Sequence, residues 1–113
     1  TLIDSPGSAN DAAAEAAGIG TAIAQTFAAV ARATVPVTSL LIGEGGSGGA
    51  LAIAAPEDLW AVPGSYFSVI APEGAAAILH RDPSRASEVA DQLRVGPEEL
   101  LALGIVRGIV PAG

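Results

Sequence analysis

The sequence predicts an α/β protein in which strands and helices alternate around a parallel sheet. Thr1–Asp4 and Val35–Gly43 are apolar, partly β-branched runs with the composition of buried strands. Between them, the alanine-rich segment Ala12–Ala33 repeats larger apolar residues every three or four positions, which is the spacing of one helix face. Half of the residues are hydrophobic and only 15% are charged, so a packed domain is favoured over a disordered chain.

Capping and turn signals define the other elements. Asn10 or Asp11 is the predicted N-cap of the first helix, and Val35-Pro36 marks its end because a residue before proline avoids the α region. A glycine loop follows the second strand, and a short helix is expected from Gly49. Two short strands are then expected on either side of Pro63-Gly64. The last predicted elements are helices from Pro72, over Ser84–Arg94 and over Pro97–Gly104, and a strand at Ile105–Pro111. This order predicts one domain over residues 1–113, with right-handed crossovers.

Charge and composition exclude several classes of partner. The net charge is −7 and the chain has no lysine, so no basic face is available for nucleic acid or for an anionic membrane surface. No run of about 18 apolar residues predicts a transmembrane helix. The absence of cysteine excludes disulfides and thiolate-bound zinc within this chain, so we expect no metal here. It also suits a reducing compartment, and we expect a cytoplasmic protein.

The segment Gly43–Glu57 is the most unusual part of the chain, since five of its first seven residues are glycine. A glycine-rich turn from a strand into a helix exposes backbone N–H groups that can hold a phosphate or a developing oxyanion. The phosphate interpretation is weak because the segment lacks the Gly-Lys-Ser/Thr ending of a P-loop. Its Gly-x-Gly-x-x-Gly match has its acidic partner near Asp58, at the start of another strand. A tight turn without a ligand is the alternative.

Four stretches together resemble one known family. "VPVTSLLIGEGGSGGALAI" and "YFSVIAPEGAAAIL" are similar to the α-type subunit of the bacterial acetyl-CoA carboxylase carboxyltransferases. "IDSPGS" and "LGIVRGIVP" resemble other parts of the same subunit in the same order. The resemblance implies a crotonase-like fold built of stacked ββα units. A complete unit of that kind usually has about 200 residues, near the upper end of ordinary domain sizes. We therefore expect a partial domain that lacks its N-terminal strands.

The resemblance also implies an activity and partners. Such enzymes move a carboxyl group from carboxybiotin to an acyl-CoA, here expected to be acetyl-CoA, which gives malonyl-CoA for fatty-acid synthesis. The biotin is carried by a biotin carboxyl carrier protein, and a β-type subunit completes an oligomeric enzyme. Negative charge on the ureido oxygen of biotin and on the acyl-CoA enolate would be stabilised by backbone oxyanion holes.

The resemblance places the biotin-side oxyanion hole at the start of the helix that comes after the glycines. The expected donors are the backbone N–H groups of Gly48, Gly49 and Ala50, with Gly7 and Ser8 as the facing wall. The complete set of expected substrate- and biotin-binding residues is Gly7, Ser8, Gly45, Gly46, Ser47, Tyr66 and Glu73. The segments "SANDAAAEAAGIG" and "HRDPSRAS" depart from the family pattern.

Two other functions remain open at this level. Another acyl-CoA enzyme of the same fold, a decarboxylase, hydratase or isomerase, would use the same hole with Glu44 or Glu73 as its acid or base. A non-catalytic structural subunit would need neither. A Ser47–His80 pair is a poor candidate for a triad, because the two residues are 33 positions apart and His80 is expected at a helix end. Asp4 is expected to end the first strand and accept nearby amide N–H groups. The alternative is that Asp4 positions the following Ser-Pro-Gly-Ser loop near the site.

Overall fold

Alternating strands and helices are observed along the chain. The structure is a computed structural model that describes residues 1–9, 11–70 and 72–111, so the possible capping role of Asn10 lies outside the described residues. The elements are β1 Leu2–Ser5, α1 Ala12–Ala16, α2 Ile19–Ala31, β2 Ser39–Gly46, α3 Ser47–Leu51, β3 Leu59–Ala61, β4 Tyr66–Ser68, α4 Pro72–His80, α5 Ala86–Leu93, α6 Pro97–Ala102 and β5 Gly108–Ile109. A 3-10 turn, Pro83–Arg85, precedes α5. The predicted α/β class is confirmed.

The sheet is organised around β2, the longest strand of the described chain. β1 and β3 lie on either side of β2, and β5 lies beyond β3. β4 also pairs with β2, and all of these pairings are parallel. The first part of β2, Ser39–Leu41, pairs with β3, whereas the glycine-rich part, Glu44–Gly46, pairs with β4. The interruption at Pro63-Gly64 separates β3 from β4, as predicted. β2 can therefore pair with both of these strands, each along a different part of its length.

Small side chains build most of the core. Ile3 on β1 and Leu41 on β2 are fully buried, and Leu100 on α6 is almost so. The main cluster consists of Ile3, Leu41, Ala50, Leu59, Ala61, Phe67, Leu100 and Val106. A second, smaller cluster of Ala75, Ala76 and Val89 joins α4 to α5. Since alanine fills much of this volume, backbones approach one another closely, and this closeness shapes the candidate site.

The first helix is divided, which corrects the prediction of one helix over Ala12–Ala33. Asp11 caps α1, accepting the Ala14 N–H at 2.8 Å. The helix then ends at Ala16, and Gly18 adopts φ +85° before α2 begins. Glycine enters this left-handed region at little cost, so it can end one helix and start another at a new angle. The predicted stop at Gly104 is confirmed, since this residue follows α6 with φ +75°.

The predicted glycine loop is divided between a strand and a helix, which is a second correction, since Gly45 and Gly46 belong to β2 and Gly48 and Gly49 belong to α3. β2 continues to Gly46 because its last three residues are paired with β4, and α3 begins at Ser47 rather than Gly49. β2 is also less buried than predicted, since the side chain of Ile42 is 42% exposed. The last strand is short: β5 contains only Gly108 and Ile109, which pair with the end of β3.

A side chain at Gly46 is incompatible with this packing, since its Cβ would overlap the Pro6 carbonyl. We predict that Gly46→Ala lowers the free energy of unfolding by about 3 kcal/mol, because a backbone obstacle yields less easily than a side chain. Gly20→Ala, in open space on α2, serves as the control and should raise stability by about 0.5 kcal/mol. Urea denaturation of the purified protein measures both. Equal midpoints for the two variants would contradict the close approach of Gly46 to Pro6.

At the opposite end of the sheet, a carboxylate joins three segments. Asp58 accepts hydrogen bonds from the Thr38 hydroxyl, from the Trp60 indole N–H at 2.8 Å and from Arg107 at 3.3 Å. These bonds, that of Thr38 above all, hold the pKa of Asp58 below its ordinary value of 3.8. The carboxylate form is therefore favoured by folding.

Stability should follow the protonation of this group. Because folding depresses the pKa of Asp58, its contribution is complete above pH 3.8 and is lost as the pH falls through the folded-state value. We predict that Asp58→Asn is less stable than the parent at pH 7 and loses less of its remaining stability on acidification. Urea midpoints at pH 7, 5, 4 and 3 measure this. Parallel curves for the two proteins would rule out the linkage.

Candidate functional site

Two backbone segments meet face to face where β1 and β2 end. A Cβ on Gly7 would lie 2.9 Å from the Gly46 carbonyl oxygen, and one on Gly49 would lie 2.9 Å from the Ser8 nitrogen. Gly7 has φ +102°, and its N–H donates to the Ser5 hydroxyl at 3.1 Å. The predicted wall of Gly7 and Ser8 therefore does lie against the strand–helix turn, with no side chain between the two backbones.

The start of α3 presents backbone donors beside this contact. Gly46 is the N-cap and has no side chain to accept from the helix. The first four N–H groups of a helix have no partner within it, and in α3 they belong to Gly46, Ser47, Gly48 and Gly49. The next N–H group, that of the predicted donor Ala50, makes the first bond within the helix, which the carbonyl of an N-cap residue accepts. Ser47 has φ +51°, an uncommon conformation for a residue with a side chain. Ala50 is fully buried, so its methyl group anchors α3 in the core. The turn thus combines rigid attachment with backbone N–H groups that can stabilise a developing oxyanion.

An apolar groove opens on one side of this turn. It has a volume of about 260 Å³ and is lined by Ser47, Gly48, Leu51, Phe67, Ser68, Val69, Val95, Leu100, Leu103 and Ile105. None of these described lining residues carries an acid or a base. Almost all of the surface that lines the groove is apolar, so its shape and chemistry suit an apolar ligand.

A second cavity, also of about 260 Å³, lies on the other side of Gly49, under α2. It is lined by Ser5, Gly7, Ser8, Ile19, Ala22, Ile23, Thr26, Gly49, Ala52 and Ile53. The three predicted donors consequently do not share one space. Gly48 borders the apolar groove, Gly49 borders the cavity under α2, and the buried Ala50 lines neither.

Tyr66, on β4, lies opposite Glu44 and thus beside Gly45, whereas Glu73 lies on α4. Their predicted contact with substrate or biotin stays a prediction. The Tyr66 ring is covered by Arg94, whose guanidinium carbon is 4.8 Å from the ring centroid, a cation–π contact. These two residues share a cavity of about 30 Å³ with Glu44. Glu73 is exposed in the first turn of α4. In the described part of the chain, neither Tyr66 nor Glu73 lines the groove or the cavity under α2.

The other titratable candidates take surface positions. His80 is the exposed last residue of α4, as predicted, and it makes no hydrogen bond to Ser47 in the described structure. Arg85 forms an exposed ion pair with Glu88, which contributes little because solvent screens both charges. Across the described residues, no group of three or more metal-ligating side chains could hold an ion. No helix within the same ranges is long and apolar enough to cross a membrane.

Sequence reasoning missed most of the groove. Val95, Leu100, Leu103 and Ile105 line it, although they come about fifty positions after the glycine-rich turn. The spacing of Leu100 and Leu103 marks an apolar helix face, but it does not tell which surface that face covers. The backbone pairing of Phe67 with Val95, with N–O distances of 3.0 and 2.8 Å, brings this part of the chain to β4.

Known proteins are similar to this chain in sequence and in architecture. The family described as acetyl co-enzyme A carboxylase carboxyltransferase-like matches residues 1–113. The acetyl-coenzyme A carboxylase carboxyl transferase subunit alpha of Bartonella bacilliformis is 48% identical over 111 residues, which are 98% of this chain and 35% of the relative. The beta/alpha protein of Saccharopolyspora erythraea is 46% identical over 115 residues, covering 100% of this chain and 20% of the relative. This chain thus spans about a third or less of each relative.

Solved structures agree on the fold. The transcarboxylase 12S structure with methylmalonyl-coenzyme A and methylmalonic acid bound superposes with a TM-score of 0.79 at 24% identity, over 97% of this chain and 23% of the other. The crotonase-like fold that the resemblance implied is confirmed.

The groove wall depends on one glycine–aromatic pair. A Cβ on Gly45 would overlap the Phe67 ring, which is itself 9% exposed. We predict that Gly45→Ala destabilises by about 2 kcal/mol and that Phe67→Leu relieves part of this loss, because the smaller side chain makes room for the methyl group. Urea denaturation of the two single variants and the double variant measures a coupling of about 1 kcal/mol. Additive effects would mean that the two residues do not touch.

Proposed function

This chain belongs to the acetyl co-enzyme A carboxylase carboxyltransferase-like family, and we propose that it forms the biotin-side half of a carboxyltransferase active site. The observation that carries the proposal is the 48% identity to a carboxyl transferase subunit alpha over 98% of this chain. The name of that relative states a carboxyl transfer, which supports the proposed reaction.

The proposed reaction moves a carboxyl group from carboxylated biotin to an acyl-CoA, with acetyl-CoA as acceptor in the synthesis of fatty acids. A β-type carboxyltransferase subunit supplies the acyl-CoA side, and a biotin carboxyl carrier protein delivers the biotin. The name of the Saccharopolyspora relative, which joins beta and alpha subunits in one protein, supports the first partner. We further propose that residues 1–113 act as part of one carboxyltransferase domain in an oligomeric cytoplasmic enzyme.

The residues of this chain fit biotin as a ligand. When bound, biotin supplies a ureido group that carries the transferable carboxyl and keeps a negative oxygen after losing it. The apolar groove suits the sulfur-containing ring and hydrocarbon chain of biotin, with Leu51, Leu100 and Leu103 among its walls. The N–H groups at the start of α3 suit the ureido oxygen, since donors fixed in advance stabilise charge as it develops.

None of the described residues that line the groove is titratable, and this supports carboxyl transfer over hydration or isomerisation. Those reactions need a side chain that moves a proton at the substrate. Glu44 lies instead in the small cavity with Tyr66 and Arg94, and Glu73 is exposed on α4. A donor set made of backbone N–H groups stabilises an oxyanion without such a residue.

Gly49 offers the sharpest test of this proposal. A side chain at this position would push against the Ser8 nitrogen at 2.9 Å and displace the wall or the helix start. We predict that Gly49→Val loses about 100-fold or more in turnover, comparable to the loss of an oxyanion donor. The assay is malonyl-CoA-dependent carboxylation of biocytin by the full-length protein assembled with its β-type partner.

Gly20→Ala, made in the same complex, should keep the parental rate because its Cβ meets open space. Melting temperatures and the milder Gly49→Ala variant separate a displaced donor from an unfolded chain. A folded, assembled parent complex without any turnover would refute carboxyl transfer. Full activity in Gly49→Val would refute the placement of the donors.

A further inference from the structure

The pairing of β1 with β2 is interrupted just before the candidate site. Ile3 lies opposite Leu41, but Ser5 lies opposite Gly45, so Asp4 alone spans three residues of β2. A bulge of this kind leaves backbone groups of the longer segment without ladder partners and re-aims the chain beyond it. Beyond the bulge, β2 continues with Gly45 and Gly46, and β1 is followed by Pro6 and by the wall of Gly7 and Ser8.

The Asp4 carboxylate fills the bulge. Its Oδ1 atom accepts the N–H of Glu44 at 3.0 Å, a bond that a strand carbonyl would otherwise have to supply. The same carboxylate occupies the space beside Gly43, where a Cβ would overlap it. The Asp4 side chain thus supplies a hydrogen bond that the interrupted ladder does not supply, and it does so beside Gly43, which has no side chain.

We propose that Asp4 is a positioning residue for the carboxyl-transfer site, an inference that rests on the function proposed above. It does not line the groove and touches no reacting atom. By binding the Glu44 N–H it fixes the register in which Gly45 and Gly46 leave the bulge. That register sets the contact of Gly7 with Gly46, and of Ser8 with Gly49, and so the position of the first N–H groups of α3.

The chemistry requires an acceptor at this position, not a charge. An amide oxygen at residue 4 would accept the Glu44 N–H nearly as well, whereas a methyl group leaves that donor to solvent and no longer ties β2 to β1 at this point. Asp82→Ala serves as the control, because the Asp82 carboxylate is also exposed and accepts one backbone N–H at 3.0 Å, from Ser84, far along the chain, together with the Ser84 hydroxyl at 2.7 Å. The control therefore loses at least as many hydrogen bonds as Asp4→Ala, at a place remote from the candidate site.

The experiment compares Asp4→Ala, Asp4→Asn and Asp82→Ala in the full-length protein assembled with its partner. Amide hydrogen exchange at Glu44 reports the anchoring, and we expect it to be about tenfold faster in Asp4→Ala only. In biocytin carboxylation, kcat should fall about 10- to 100-fold in Asp4→Ala, because a shift near 1 Å is costly. The KM for biocytin should stay within about threefold, since groove binding is retained. Asp4→Asn should keep parental exchange and most of kcat.

Each other outcome decides between the proposals. Asp4→Ala with the exchange and kcat of Asp82→Ala would overturn the positioning role while carboxyl transfer stands. Equal losses in Asp4→Asn and Asp4→Ala would overturn it too, because the acceptor would not be the cause. An inactive parent complex would refute the function, and exchange at Glu44 would still decide the anchoring. If Asp4→Ala does not assemble, Gly43→Ala displaces the carboxylate from the other strand and must reproduce the kinetic loss.

Discussion

The contact between two bare backbones is the constraint on which this structure depends. Pro6, Gly7 and Ser8 lie against Gly46 and Gly49 so closely that a Cβ at either glycine would meet backbone atoms. Such contact requires that no Cβ project between the two segments, which explains why glycine occupies positions 7, 46 and 49. It fixes β1 and its adjoining loop to the start of α3, and these are the elements that line the candidate site.

β2 makes that contact possible through its position in the sheet. Its first half pairs with β3 and supplies core residues such as Leu41, whereas its second half pairs with β4 and carries glycines. One strand therefore serves as both the centre of the core and the support of the site. Alanine in the surrounding core allows the short distances, and the Phe67 ring occupies the space that Gly45 leaves open.

In a site made of backbone donors, the sequence must fix the position of the backbone and need not supply particular functional side chains. The N–H groups at the start of α3 are present whatever the side chains are, so the chemistry depends on geometry rather than on residue type. Asp4 illustrates this, because its carboxylate acts on the strand register and not on a ligand. Substitutions in such a site are expected to act by steric displacement, and their effects depend on which atom a new Cβ meets.

Local signals in the sequence determined the fold class and most elements. The alternation of apolar runs with helical periodicity, the Asp11 cap, the break at Pro63-Gly64 and the stop at Gly104 each depend on a few neighbouring residues. The family and its fold were recognisable for the same reason, since contiguous motifs carry them. The contact of Gly7 with the glycine-rich segment was also indicated by the motifs, without its distances.

Only the tertiary structure decided the features that depend on distant partners. The extension of β2 to Gly46 requires β4, the groove requires α6, and the bond of Asp4 to Glu44 joins residues forty positions apart. The contact of Arg94 with the Tyr66 ring is of the same kind, since it joins β4 to a residue that follows α5. A sequence determines which residues can form a strand or a turn. Which surfaces meet is set by the packing of the whole chain, because no local propensity encodes the position of a partner.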